Sequence, residues 1–109
     1  MTRTALGDLE HQALIATLRL KGAAYSVSVV QEIEARTGRA VAQSAVFIAM
    51  RRLEEKGLLQ SRVDDQSEAR GRVRRYFDLT PAGMERLREM RAALLNLWEG
   101  FSAELEAPR

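Results

Sequence analysis

The apolar positions of this chain change period once, and the change divides it into helices and strands. Leu9, Leu14, Ile15 and Leu18 recur near a period of about 3.6 residues, which predicts a helix from Asp8 to Lys21. Asp8 is the expected N-cap and Gly22 follows the last turn. A second helix is expected from Ser26 to Thr37, with Ser26 as cap and Val29, Val30 and Ile33 facing inward. Gly38 sits where a residue in the left-handed region commonly ends a helix. A third helix, Gln43 to Lys56, puts Val46, Phe47, Met50 and Leu53 on one face and stops at Gly57. Alternation then replaces the helical period. Leu59, Ser61 and Val63 alternate with Gln60 and Arg62, and Arg75, Phe77 and Leu79 alternate with Tyr76 and Asp78, giving two short strands. Asp64 to Arg74 between them is polar, charged and contains Gly71, a hairpin loop of a length that is usually functional. Thr80-Pro81-Ala82-Gly83 opens a long last helix, with Thr80 as cap and Pro81 in the first helical position. That helix is expected to reach about Ala107, with Met84, Leu87, Met90, Leu94, Leu97, Trp98, Phe101 and Leu105 as its apolar seam.

Three helices, a β-hairpin and a long helix predict a mainly α (α+β) fold, a winged helix-turn-helix with a C-terminal dimerisation helix. Residues 1–80 form the expected DNA-binding domain and residues 81–109 the dimerisation helix. The turn of the DNA-reading unit falls around Gly38 to Ala42.

Composition narrows the chemistry. The 109 residues suit one domain, and 46% hydrophobic with 29% charged residues reads as globular rather than disordered. No apolar run is long enough to span a bilayer, so no membrane partner is expected. No extended apolar stretch follows the charge near the N-terminus, so no signal peptide is expected there. The absence of cysteine removes disulfides and thiolate zinc sites and fits a cytoplasmic protein. His11 is the sole histidine, no Gly-x-Ser-x-Gly elbow or Gly-rich phosphate loop occurs, and the carboxylates Glu54-Glu55 and Asp64-Asp65 are sequence neighbours. No catalytic residue, metal site or cofactor is therefore expected.

Charge gives a positive indication. The net charge is +2, with the basic excess before residue 80 and a slight acidic excess after it. Arg70, Arg72, Arg74 and Arg75 stand on the hairpin loop and second strand, with Arg62 on the first. Arginines at a hairpin tip reach phosphates or a minor groove. Because Asp64, Asp65 and Glu68 share the segment, a solvated charged loop is the competing reading. The third helix sets Gln43, Ser44 and Ile48 at its start and outer side, where side chains meet base edges and backbone N–H groups face phosphate. Arg51, Arg52 and Lys56 follow as candidate backbone contacts, or as partners of Glu54 and Glu55.

Two blocks of residues carry a family resemblance. Val46-Phe47-Ile48-Ala49-Met50-Arg51-Arg52-Leu53-Glu54-Glu55-Lys56-Gly57-Leu58-Leu59 resembles the recognition-helix signature of PadR-type regulators. Gly71-Arg72-Val73-Arg74-Arg75-Tyr76-Phe77-Asp78-Leu79-Thr80-Pro81-Ala82-Gly83 is similar to that family's wing, and Tyr25 before the second helix also fits. Phe47 stands where the family usually has tyrosine, Ala42 where serine often caps the helix, and Val73 where proline is frequent. The resemblance implies a homodimeric bacterial repressor that binds double-stranded DNA. Its DNA contacts would be Gln43, Ser44, Phe47, Arg51, Arg70, Arg72, Arg74 and Arg75, and its dimer interface Leu87, Leu94, Trp98 and Phe101. Some members bind flat aromatic compounds between subunits, in one case against a tryptophan of the last helix, which makes Trp98 a candidate for an aromatic effector. Dimer core is the competing role for Trp98, Leu94 and Phe101. A winged-helix adaptor whose basic wing binds an acidic protein is the rival to DNA binding.

Overall fold

The computed structural model describes residues 6–64 and 73–106, apart from the Ser102 side chain. Arg70, Arg72 and Gly71 lie outside the described residues. The elements are α1 (Asp8–Leu20), α2 (Ser26–Thr37), α3 (Gln43–Glu55), β1 (Leu59–Asp64), β2 (Arg74–Leu79), α4 (Pro81–Trp98) and α5 (Ser102–Glu106). This is a mainly helical winged helix-turn-helix with an antiparallel hairpin.

Local chemistry explains most element ends. Asp8 and Glu10 lie in the first turn of α1, at the positive end of its dipole, and Arg19 lies in the last. Gly7 holds the N-cap position, so Asp8 acts on the dipole from inside the helix rather than capping it. Likewise Tyr25, not Ser26, is the extended residue before α2; Ser28 fixes this entry, its hydroxyl accepting from Tyr25 N–H at 2.9 Å and donating to Ala23 O at 2.8 Å. Gly38 ends α2 with φ of 72°, as its position predicts.

The last helix is shorter than its apolar pattern suggests. It ends at Trp98, with Glu99 extended and Gly100 at φ of 87°, and a separate short helix follows. Hydrophobic spacing continues through this break, so periodicity alone carries the expected helix too far.

The hairpin pairs Leu59 with Leu79, Ser61 with Phe77 and Val63 with Arg75. Ala24, in the α1–α2 connection, adds a bridge to the outer edge of β2, its carbonyl accepting from Phe77 N–H at 2.8 Å. Phe77 is fully buried, and Leu14, Val29, Val46, Met50, Leu53 and Leu59 close around it. Burial of each large side chain contributes roughly 1.5–3 kcal/mol. From the expected apolar faces of α1 and α3, three side chains lie outside this core: Ile15 and Phe47 are each 40% exposed, and Leu18 is similar. Their helices have broad apolar faces, and the small core takes only part of each.

Glu10 and Lys56 join α1 to the end of α3 by a 2.8 Å ion pair, with Glu10 nearly buried. Lys56, a candidate for phosphate contact in the sequence, is thus engaged in holding α3 in place. Nearby, burial pushes the His11 imidazole below its ordinary value, against a smaller upward pull from Asp8. The folded state therefore resists protonation. The His11 contribution is fully present above the unfolded value of about 6.5 and is lost as pH falls from there through the lower folded value. Thermal melts at pH about 7.5 and about 5.5 should show a larger acid loss for the parent protein than for His11→Gln. Equal losses would assign the acid sensitivity to other groups.

Candidate nucleic-acid interface

The geometry of the α2–α3 turn is set by one acidic residue and one threonine. Glu34 lends its carbonyl to Gly38 N–H at 2.9 Å and its carboxylate to Val41 N–H at 3.1 Å. Thr37 Oγ1 accepts from Arg39 N–H at 3.2 Å. The turn thereby directs α3 outward with its first residues exposed. Ala42 supplies no side-chain cap, so the first N–H groups of α3 are left to water or to an external acceptor. Such a helix start favours phosphate oxygens.

Gln43 and Ser44 are both exposed at this end, with Gln43 Nε2 donating to Ser26 Oγ at 3.2 Å. Phe47 and Ile48 follow on the outer face, then Arg51 and Arg52. A groove of about 550 Å³ runs between the start of α2, α3 and the wing, lined by Tyr25, Gln43, Phe47, Val73, Arg74 and Arg75 among others.

Strand alternation sends the two arginines of β2 to different surroundings. Arg74 lies over the Tyr25 ring at 4.7 Å, Tyr25 meets Tyr76 with centroids 5.4 Å apart, and Arg62 lies over Tyr76 at 5.0 Å. A hydrogen bond with Tyr76 raises the Arg74 guanidinium above its ordinary value. Arg62 also donates to Gly22 O at 2.9 Å and lies 3.6 Å from Asp78. The wing is thus fastened to the start of α2 by stacked cations and rings. Each cation–π contact of this exposed kind is worth about 0.5–1 kcal/mol.

Arg75 takes the other side. Its Nη1 donates to Ser61 Oγ at 3.0 Å, and Ser61 donates to Glu54 Oε2. The other Glu54 oxygen receives Arg51 Nη1 at 2.7 Å. Arg51 and Arg75 therefore converge on one carboxylate that joins α3 to the sheet. Both are candidates for DNA contact from sequence, and the structure links them through Ser61 and Glu54, with Arg75 but not Arg51 lining the groove. Tyr76 and Arg62 were not singled out as a pair, although the register that sets them opposite each other follows from the alternating strands.

The second candidate region lies elsewhere. Leu87 is buried in the chain's own core, whereas Leu94, Trp98 and Phe101 are exposed. Among the described residues, no group of His, Cys, Asp and Glu is arranged to hold a metal, and no helix is long and apolar enough to cross a membrane.

The helix-turn-helix, its outward α3 and the braced wing agree with a family model, that of the transcriptional regulator PadR-like family, over residues 14–89. The chain belongs to the PadR-like family. As a PadR-like protein it has the fold of a DNA-binding transcriptional regulator. It is similar to a PadR family transcriptional regulator from Eggerthella lenta DSM 2243, with 29% identity and a TM-score of 0.67, over 88% of this chain and 82% of that one. A PadR family transcription regulator from hypervirulent Clostridium difficile R20291 shares the fold, at 18% identity and a TM-score of 0.75 over 91% and 99% of the two chains. So does Bordetella bronchiseptica BpsR, whose DNA binding is regulated by 6-hydroxynicotinic acid, at 19% identity and a TM-score of 0.66 over 94% and 72%. No curated protein matches the sequence.

Proposed function

We propose that this PadR-like protein is a homodimeric, sequence-specific repressor that occupies promoter DNA in the bacterial cytoplasm. The observation that carries the reading is the uncapped, exposed start of α3, bearing Gln43 and Ser44 beside the arginine-edged groove. On this reading α3 enters the major groove. Gln43 and Ser44 meet base edges, and the wing, with Arg70, Arg72 and Arg74, holds phosphate or the minor groove. Repression needs only occupancy of the site and no catalysis. Dimerisation falls to the part of residues 81–109 beyond Leu87.

A two-fold dimer spaces its recognition helices by about 34–36 Å, one turn of the duplex. Selection from a random duplex pool is therefore expected to recover a pseudo-palindrome, bound with a steep salt dependence. Arg74→Ala should weaken binding to every duplex, and Gln43→Ala should change which duplexes are selected. Recovery of no preferred sequence, with weak and uniform binding, would favour the adaptor reading instead.

A second reading adds a small aromatic effector. A groove of about 430 Å³ between α1 and α4 is lined by His11, Ile15, Leu18, Leu94, Leu95 and Trp98. BpsR, which shares the fold, has its DNA binding regulated by a small aromatic acid, and the Trp98 groove is where such an effector would fit here.

A further inference from the structure

The outer face of α3 is apolar where its base-reading position calls for donors. Between Gln43 and Arg51 the helix has no charged side chain. Phe47 and Ile48 stand on its outer surface, Ile48 at 51% exposure. Neither is needed by the core, which is closed from the same helix by Val46, Met50 and Leu53. Phe47 borders the groove toward the wing, whereas Ile48 borders a second groove toward the start of α1, beside Ala45 and Arg52.

We infer that Phe47 and Ile48 recognise the 5-methyl groups of thymines in the major groove, so that the protein selects A·T pairs at the centre of each half-site. The inference rests on the DNA-binding reading above and specifies its sequence preference. The thymine methyl is the one apolar feature that an A·T or G·C pair presents in that groove, and it is contacted by side chains such as alanine and phenylalanine. The neighbouring groups favour the same pair. Gln43, one turn before Phe47, is of the type that pairs with the N6 and N7 edge of adenine, the partner of thymine. Bidentate guanine recognition uses arginine or lysine, and the first two turns of α3 contain neither. Arg51 and Arg52 on the following turn supply positive charge for the flanking phosphates, although Arg51 also pairs with Glu54.

The test uses the duplex recovered by pool selection and replaces its thymines, one position at a time, with deoxyuridine. This substitution removes only the methyl and keeps the hydrogen-bonding edge. The parent protein is expected to bind about three- to five-fold more weakly at one or two positions in each half-site, the loss that follows from leaving one such group unburied. Phe47→Ala or Ile48→Ala should bind the thymine and uracil duplexes equally at the position each side chain reads. Both side chains are exposed, so an unchanged melting curve for each variant separates lost contact from lost fold. Uracil duplexes that bind the parent as tightly as thymine duplexes would overturn the inference and leave sequence-specific binding intact. A methyl effect that persists unchanged in both variants would also overturn it. Failure to select any duplex would remove the DNA-binding reading and this inference together.

Discussion

Gly83→Ala is expected to lower the melting temperature by roughly 10 °C or more, the largest stability loss from adding a single methyl anywhere among the described glycines. A Cβ at Gly83 would stand 2.1 Å from Leu58 O, 2.9 Å from Leu79 Cδ2 and 3.0 Å from Leu58 C. The nearest atom is backbone and cannot turn aside as a flexible side chain can. That carbonyl is also fixed, because it accepts from Thr80 N–H at 3.1 Å. Thr80 in turn caps α4, accepting from Gly83 N–H at 3.0 Å, and donates to Gly57 O at 2.6 Å. Relief of the clash requires α4 to move off β1, which breaks the cap and lifts Leu87 from the core. Overpacking typically costs about 1–3 kcal/mol, and a backbone collision belongs at or above the upper end. Small domains have about 5–15 kcal/mol in total. A thermal melt of the variant checks this; a midpoint within two or three degrees of the parent would mean that α4 can slide at little cost.

Gly83 also shows what a sequence conveys and what it withholds. Its place after Thr80-Pro81-Ala82 marks the start of a helix, and its match to the family's wing motif marks it as part of the pattern. The reason for glycine there, the Leu58 carbonyl just before β1 lying against its α-carbon, belongs to tertiary packing and has no local signal. The same division runs through the fold. The three helices, the hairpin and the helix-turn-helix order were legible because each has a clean period and Gly or Pro punctuation. The bridge from Ala24 to Phe77 was not, because a single residue has no period. The exposure of Ile15, Leu18 and Phe47 was not, because periodicity finds an apolar face without saying how much of it the core can cover.

The candidate interface divides in the same way. Gln43 and Ser44 could be placed from the helix start, whereas Arg74, read as the end of the loop, is the first residue of β2 and pairs with Asp64. The convergence of Arg51 and Arg75 through Ser61 and Glu54 depends on how α3 crosses the sheet. Local sequence suggested the competing helical pairs instead, of which Arg51–Glu54 forms.

Leu94→Glu is expected to convert a dimer into a monomer and, with it, to weaken DNA binding by a factor of 100 or more. Ile15, Leu18, Leu94, Leu95, Leu97 and Trp98 are exposed along α1 and α4, and Trp98, the sole tryptophan, is 49% exposed. An apolar surface of this kind marks an interaction site, since solvent exposure would promote aggregation. A two-fold axis would set each Leu94 against the other subunit and bury two copies of this face. Burial contributes roughly 1.5–3 kcal/mol per large side chain, against association costs of about 4–15 kcal/mol, so the balance is narrow. Two buried glutamates facing an apolar partner surface would tip it, at several kcal/mol and about ten-fold in affinity for each 1.4 kcal/mol. The substitution leaves Leu87 in place, so the winged helix should keep its fold. Sedimentation should give twice the chain mass for the parent and the chain mass for Leu94→Glu. Trp98 emission should shift to longer wavelength in the variant as its indole becomes wet. Planar aromatic dyes should quench the parent saturably and the variant weakly, because one subunit supplies only half of the slot. A Leu94→Glu protein that remains dimeric would move the interface off this face, and Trp98 would lose its place in both the dimer and the effector readings.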